Sequence, residues 1–127
     1  MSEQSIIVVK LGGTEGVDFS AICADAVELI KQGQSLVLVH GGSAEANALG
    51  EAVGKPPRFI TSPSGYTSRY TNRETLEIFL MAGNGKVNSL LTEQLQSMGV
   101  NAFGLSGMDG QFPGEGVQPV GVLQDQH

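Results

Sequence analysis

The sequence predicts an α/β fold with a mainly parallel sheet, and three observations carry that prediction. Two apolar runs, Ile6 to Leu11 and Leu36 to Val39, lead into paired glycines, Gly12-Gly13 and Gly41-Gly42. Continuous apolar runs of this kind read as parallel strands covered on both faces. Between them lies a stretch of helical periodicity, and a strand–helix–strand order favours a right-handed crossover that sets the two strands side by side. The chain has 127 residues, enough for a single domain with a hydrophobic core.

The first strand is expected over residues 5–11 and the first helix over residues 18–32. Asp18 is a good N-cap, Ile22, Ala26, Leu29 and Ile30 form one stripe, and Gly33 is a natural stop. A second strand over residues 35–40 precedes a helix from Ser43 to Val53 that Gly54 ends. From Lys55 to Tyr70 the composition changes. Pro56, Pro57, Pro63 and Gly65 break regular structure there, and Arg58 to Thr61 reads as one arm of a hairpin. Long irregular segments in compact domains are often functional loops.

Helix resumes at Thr71, where Thr71-Asn72-Arg73-Glu74 matches a capping box. Gly83-Asn84-Gly85 is expected to interrupt it. From Lys86 to Met98, Val87, Leu90, Leu91, Leu95 and Met98 fall on one helical face, and Gly99 stops the run. Asn101 to Ser106 reads as a third strand leading into Gly107. The tail from Gln111 is rich in Gly and Gln, with at most a short strand over Val117 to Leu123.

Composition narrows the function classes. No apolar run is long enough to span a bilayer, and the N-terminus lacks the order of a secretory leader. With Cys23 as the single cysteine no disulfide framework is possible, so a cytoplasmic location is expected. The net charge of −6 argues against non-specific binding to nucleic acid or to an anionic membrane. That charge is unevenly spread. Lys55, Arg58, Arg69, Arg73 and Lys86 face only Glu74 and Glu77 within residues 55–86, so the window is +3 and the remainder −9. A locally basic segment in an acidic chain suits a carboxylate-rich ligand or an acidic partner. A solvated loop and helix surface is the plainer alternative.

Neither glycine pair has the G-x-G-x-x-G spacing of a dinucleotide site, and no G-x-x-x-x-G-K-[ST] run is present. What remains is a helix N-terminus after Gly41-Gly42-Ser43, where free N–H groups and the helix dipole favour negative charge. Two tight turns without a ligand would give the same sequence. Lys10 is sharper, because a lysine closing an apolar strand directly before two glycines would be costly as a core residue. Beside a phosphoryl group it would offset charge that develops in the transition state; otherwise it snorkels to solvent at the strand end. His40 has no partner at metal-ligand or triad spacing and reads as structural, His127 lies at the chain terminus, and no metal site is expected.

Taken in order, Val8-Val9-Lys10-Leu11-Gly12-Gly13, Val39-His40-Gly41-Gly42-Ser43-Ala44-Glu45-Ala46-Asn47, Lys55-Pro56-Pro57-Arg58-Phe59 and Thr67-Ser68-Arg69-Tyr70-Thr71-Asn72-Arg73-Glu74 resemble the amino-acid kinase family. Gly85-Lys86-Val87-Asn88 and Gly104-Leu105-Ser106-Gly107-Met108-Asp109-Gly110 continue the match. Within the family the motifs look closest to the LysW-aminoadipate/LysW-glutamate kinase branch, relatives of the N-acetylglutamate kinases. Ser43 supports that branch, because acetylglutamate kinases usually have a third glycine there.

The resemblance implies a three-layer αβα sandwich and ATP-dependent phosphorylation, with Mg2+, of a side-chain carboxylate in lysine or arginine biosynthesis. It implies that Lys10 is the transition-state lysine, that Gly12, Gly13 and Gly42 bind phosphate, and that Gly41, Gly42, Ser43 and Arg69 bind substrate, Arg69 through the α-carboxylate. It also implies a small acidic LysW-like carrier protein as partner, which Lys55, Arg58, Arg73 and Lys86 are placed to dock, and a homodimer of the full-length enzyme with the helix at 71–82 as a candidate face. Residues 1–127 resemble the N-terminal, substrate-binding portion of that fold. The nucleotide-binding half follows it in the family, so these residues alone are expected to lack kinase turnover. An N-acetylglutamate kinase fragment and a non-catalytic substrate- or carrier-binding module of a split enzyme are the alternatives.

Overall fold

In the computed structural model of the chain, residues 5–12 and 18–110 are described. Strand β1, Ile6–Lys10, leads to helix α1, Phe19–Lys31, and strand β2, Ser35–Val39. β1 and β2 are parallel, with Ile6 opposite Ser35 and Lys10 opposite Val39. Asp18 caps α1 as expected: its carboxylate accepts from Ser20 N at 2.9 Å, and Gly33 follows the last turn at φ +91°. The helix buries Cys23, Ala26 and Val27, and burial pushes the Cys23 thiol pKa up. Leu11, Leu38, Leu91 and Leu95 complete this core.

Helix α2, Ser43–Ala52, starts at Gly42 and ends near Gly54, which has φ +77°. It leads to a hairpin of β3, Phe59–Thr61, and β4, Thr67–Arg69. The strands are antiparallel with Phe59 opposite Arg69, so the loop has a second arm beyond the one expected. Gly65, at φ +94°, lets the turn close through Ser62 N to Tyr66 O at 2.7 Å.

The next three segments run as one helix: α3, Arg73–Leu80, a π-helical segment, Met81–Val87, and α4, Asn88–Ser97. Four sequence expectations are corrected here. The N-cap of α3 is Asn72, whose Oδ1 accepts from Thr75 N at 2.9 Å, while the Thr71 hydroxyl bonds back to Arg69 O. Gly83-Asn84-Gly85 does not break the helix; the chain stays helical through it with the wider i→i+5 turns of a π-helix. Leu90 is half exposed, standing about 100° around α4 from Leu91 and off the i, i+4 row of Val87, Leu91 and Leu95 that is buried. Residues 101–106 form no strand, since they make no ladder with a described strand; Gln96 Nε2 instead donates to Ala102 O at 3.0 Å.

β1 also differs from a strand covered on both faces. Ile6, Ile7 and Val8 are exposed, and Val9 and Leu11 carry its contact with the core. β2 is the one partner β1 has among the described residues. The expected strand at Val117 to Leu123 and the terminal His127 lie outside the described residues.

Candidate functional site

The register of β1 and β2 brings the two glycine turns to the same end of the sheet. Leu11 N donates to Val39 O at 2.7 Å, so Lys10-Leu11-Gly12 runs beside Val39-His40-Gly41. Crevices outside the carboxyl ends of parallel strands are where open α/β sheets bind ligands. Gly13 lies outside the described residues.

Gly41 and Gly42 are buried, and the reason for glycine at 42 is steric. A Cβ there would lie 2.9 Å from Gly83 Cα, so the turn packs directly on the backbone of the π segment. Gly42 is also the N-cap of α2 and supplies no side-chain cap, which leaves the first backbone N–H groups of that helix for other acceptors. Behind the turn His40 is fully buried, with Nδ1 3.0 Å from Gly41 O and Nε2 3.2 Å from Asn88 Oδ1. His40 thus ties the turn to the start of α4. Sequence spacing gave no hint of this link, since the partners are 48 positions apart.

Arg69, at the end of β4, meets Ser43, at the start of α2. Its Nη2 donates to Ser43 Oγ at 2.9 Å and, at the long distance of 3.4 Å, to Ser43 O. The guanidinium carbon lies 5.1 Å from the ring centroid of Phe59 and 5.5 Å from that of Phe79. Two aromatic faces therefore hold the cation, and desolvation lowers the Arg69 pKa from its ordinary value. The group remains charged at any physiological pH. Together with Thr67, Thr71 and Leu76 these residues line a cavity of about 530 Å3. A partly desolvated guanidinium whose hydrogen bonds go to a neutral serine keeps its charge uncompensated there, and its planar fork has the geometry to pair with a carboxylate. Ser43 and Arg69, each expected at the substrate site, are in contact here, a link the sequence did not show; the ring contacts of Phe59 and Phe79 went unread as well.

Lys10 and Gly12 line a different cavity, of about 320 Å3, on the α1 side with Ile22, Asp25 and Leu29. Lys10 is exposed. Lys10 and Gly12 thus open on a different hollow from the one that Ser43 and Arg69 line.

The basic window is largely paired within the chain. Lys55 meets Glu74 at 3.0 Å, Arg73 meets Glu77 at 3.2 Å and Lys86 meets Glu45 at 2.8 Å, all at the surface. Arg58 stacks over Tyr70, 5.3 Å from its ring centroid. Such exposed pairs contribute little to stability, typically about 0–1 kcal/mol. Their consequence is electrostatic, because a paired cation presents less field to a partner. No helix among the described residues is long and apolar enough to cross a membrane.

The sequence pattern of the amino acid kinase family matches residues 5–123. The chain is similar to a LysW-aminoadipate kinase of Deinococcus radiodurans, 59% identical over 108 residues that make up 85% of this chain and 37% of that protein. It is also similar to a LysW-aminoadipate kinase of Thermus thermophilus, 57% identical over 107 residues, 84% of this chain and 40% of that protein. The chain therefore spans about two fifths of the length of the curated relatives it matches.

Proposed function

Because the chain belongs to the amino acid kinase family, we propose that it forms the substrate side of an enzyme that phosphorylates the side-chain carboxylate of 2-aminoadipate or glutamate. The substrate's amino group is carried by a small acidic LysW-like protein, as the names of the relatives suggest. The observation that carries this reading is Arg69, a cation held between two rings at the rim of a cavity sized for a small amino acid. It grips the α-carboxylate, the one charged group at that end of the substrate once the amino group is masked.

ATP, when bound, supplies the phosphoryl group. Its phosphate end fits the chain: the N–H groups of Gly41, Gly42 and the uncapped start of α2 suit an anion, and Lys10, with Gly12 and Gly13 after it, closes β1 at the same end of the sheet. Lys10 offsets charge as the acceptor carboxylate and the phosphoryl group, both anionic, are brought together. Mg2+ belongs to the same proposal as ATP, because in such sites the nucleotide phosphates and waters supply most of its ligands and a protein cage is not required. The three-layer sandwich, a homodimer through α3, and a nucleotide-binding half contributed by the remainder of the fold belong to the same proposal. So does docking of the carrier on Lys55, Arg58, Arg73 and Lys86.

The test is formation of an acyl phosphate, trapped as a hydroxamate, by the full-length protein given carrier-linked aminoadipate, carrier-linked glutamate or free N-acetylglutamate. Carrier-linked substrate is expected to be used and the free acetylated amino acid poorly. The 127 residues alone are expected to bind without turnover. Preference for the free compound would overturn the carrier, and no product from any of the three would overturn the kinase reading.

A further inference from the structure

Three elements converge on one guanidinium. The hairpin supplies Arg69 itself and, directly opposite in the ladder, Phe59. α3 supplies Phe79, which is buried, and α2 supplies Ser43. An arginine side chain ordinarily keeps much rotamer freedom, and that freedom is lost again on binding. Here it is already restricted. The two rings limit translation of the guanidinium, while the hydrogen bond from Nη2 to Ser43 Oγ limits its rotation within its own plane. One Nη2–H goes to Ser43 Oγ, while no bond from Nε or Nη1 to a described residue is found, so an edge that combines the second Nη2–H with Nε–H or Nη1–H is left for a carboxylate.

We propose that Ser43, Phe59 and Phe79 are positioning residues that orient the Arg69 guanidinium for a planar carboxylate, and that Ser43 acts on substrate through Arg69. This rests on the reading of Arg69 given above. It assigns the hydroxyl at position 43 a specific task. Glycine or alanine at that position would leave the guanidinium only the long 3.4 Å contact with the backbone carbonyl of residue 43, a weaker check on its rotation. Threonine keeps the acceptor.

The proposal is tested by binding of two probes to the full-length protein by calorimetry, N-acetyl-2-aminoadipate and its α-carboxamide. The ratio of their dissociation constants reports how well the site recognises a carboxylate, and a change in pocket shape alone moves both probes together. Ser43→Ala is expected to lower the carboxylate preference about tenfold, the scale of losing one charge-assisted hydrogen bond. Ser43→Thr is expected to restore it. Phe59→Leu is expected to lower it as well, and because Phe59 is half exposed this variant keeps the buried core intact where Phe79→Leu endangers it. An unchanged ratio in both Ser43→Ala and Phe59→Leu, with the ratio lost in Arg69→Ala, overturns the positioning role and leaves Arg69 as the carboxylate ligand. An unchanged ratio in Arg69→Ala overturns both.

Discussion

A single added methyl group measures how tightly the glycine turn is held. At Gly42 the new Cβ would lie 2.9 Å from Gly83 Cα and 3.3 Å from Gly83 N, both backbone atoms that cannot swing aside. Relief requires α2 and the π segment to part. Overpacking of this kind costs about 1–3 kcal/mol, so Gly42→Ala is expected to lower the melting midpoint by about 4 °C or more on the size scaling of small domains. Gly85 provides the control, since a Cβ there meets nothing within 4 Å and the residue is helical with no positive φ. Replacing glycine by alanine in a helix adds stability of about 0.5–1 kcal/mol, so Gly85→Ala is expected to be neutral or stabilising. Equal losses in the two variants would mean that helix geometry, and not the approach of the turn, sets the cost at position 42.

Among the elements, those whose signals are local were the legible ones. α1 could be read end to end because its cap, stripe and stop all lie within its own sequence. Strand order in β1 and β2 followed from the crossover rule. The segment at 101–106 failed as a strand because a strand exists only with a ladder partner, which no local pattern reports. The π segment was read as a break because glycine pairs usually end helices, whereas here packing of Gly42 on Gly83 and of α4 on the sheet keeps the chain helical. At the candidate site, motif resemblance singled out Ser43 and Arg69, while the contacts of Phe59 and Phe79 with Arg69 are visible only once hairpin, α2 and α3 come together.

The start of α3 shows the same limit, because the capping-box pattern points to Thr71 and the sequence alone does not settle the cap. The structure does: Asn72 accepts from Thr75 N, and the Thr71 hydroxyl points back into the hairpin. Asn72→Ala is therefore expected to cost about 0.5–2 kcal/mol, read from denaturant midpoints at constant m. Thr71→Ala is expected to cost less than half as much, since its hydroxyl bond is exposed. The reverse order would return the cap to Thr71.

For the whole molecule, charge decides how the proposed acidic carrier approaches. The chain carries −6 overall, so once an acidic carrier comes within a Debye length, about 8 Å at physiological salt, the two proteins repel, while at larger separation salt screens the repulsion. At contact the basic window competes with that repulsion, but Lys55, Arg73 and Lys86 already have acidic partners within the chain. The attraction therefore depends on Arg58 and on the ability of those pairs to open toward new carboxylates. Two consequences follow for equilibrium binding of carrier measured against salt. If the window is the docking face, affinity falls as salt rises from 50 to 500 mM, on the order of tenfold, with a shallower slope than a bare +3 patch would give. Removing an internal acid, as in Glu74→Gln, frees Lys55 and is expected to tighten binding at low salt and steepen the slope. Affinity that rises with salt would mean that net repulsion dominates and that the carrier does not meet this face.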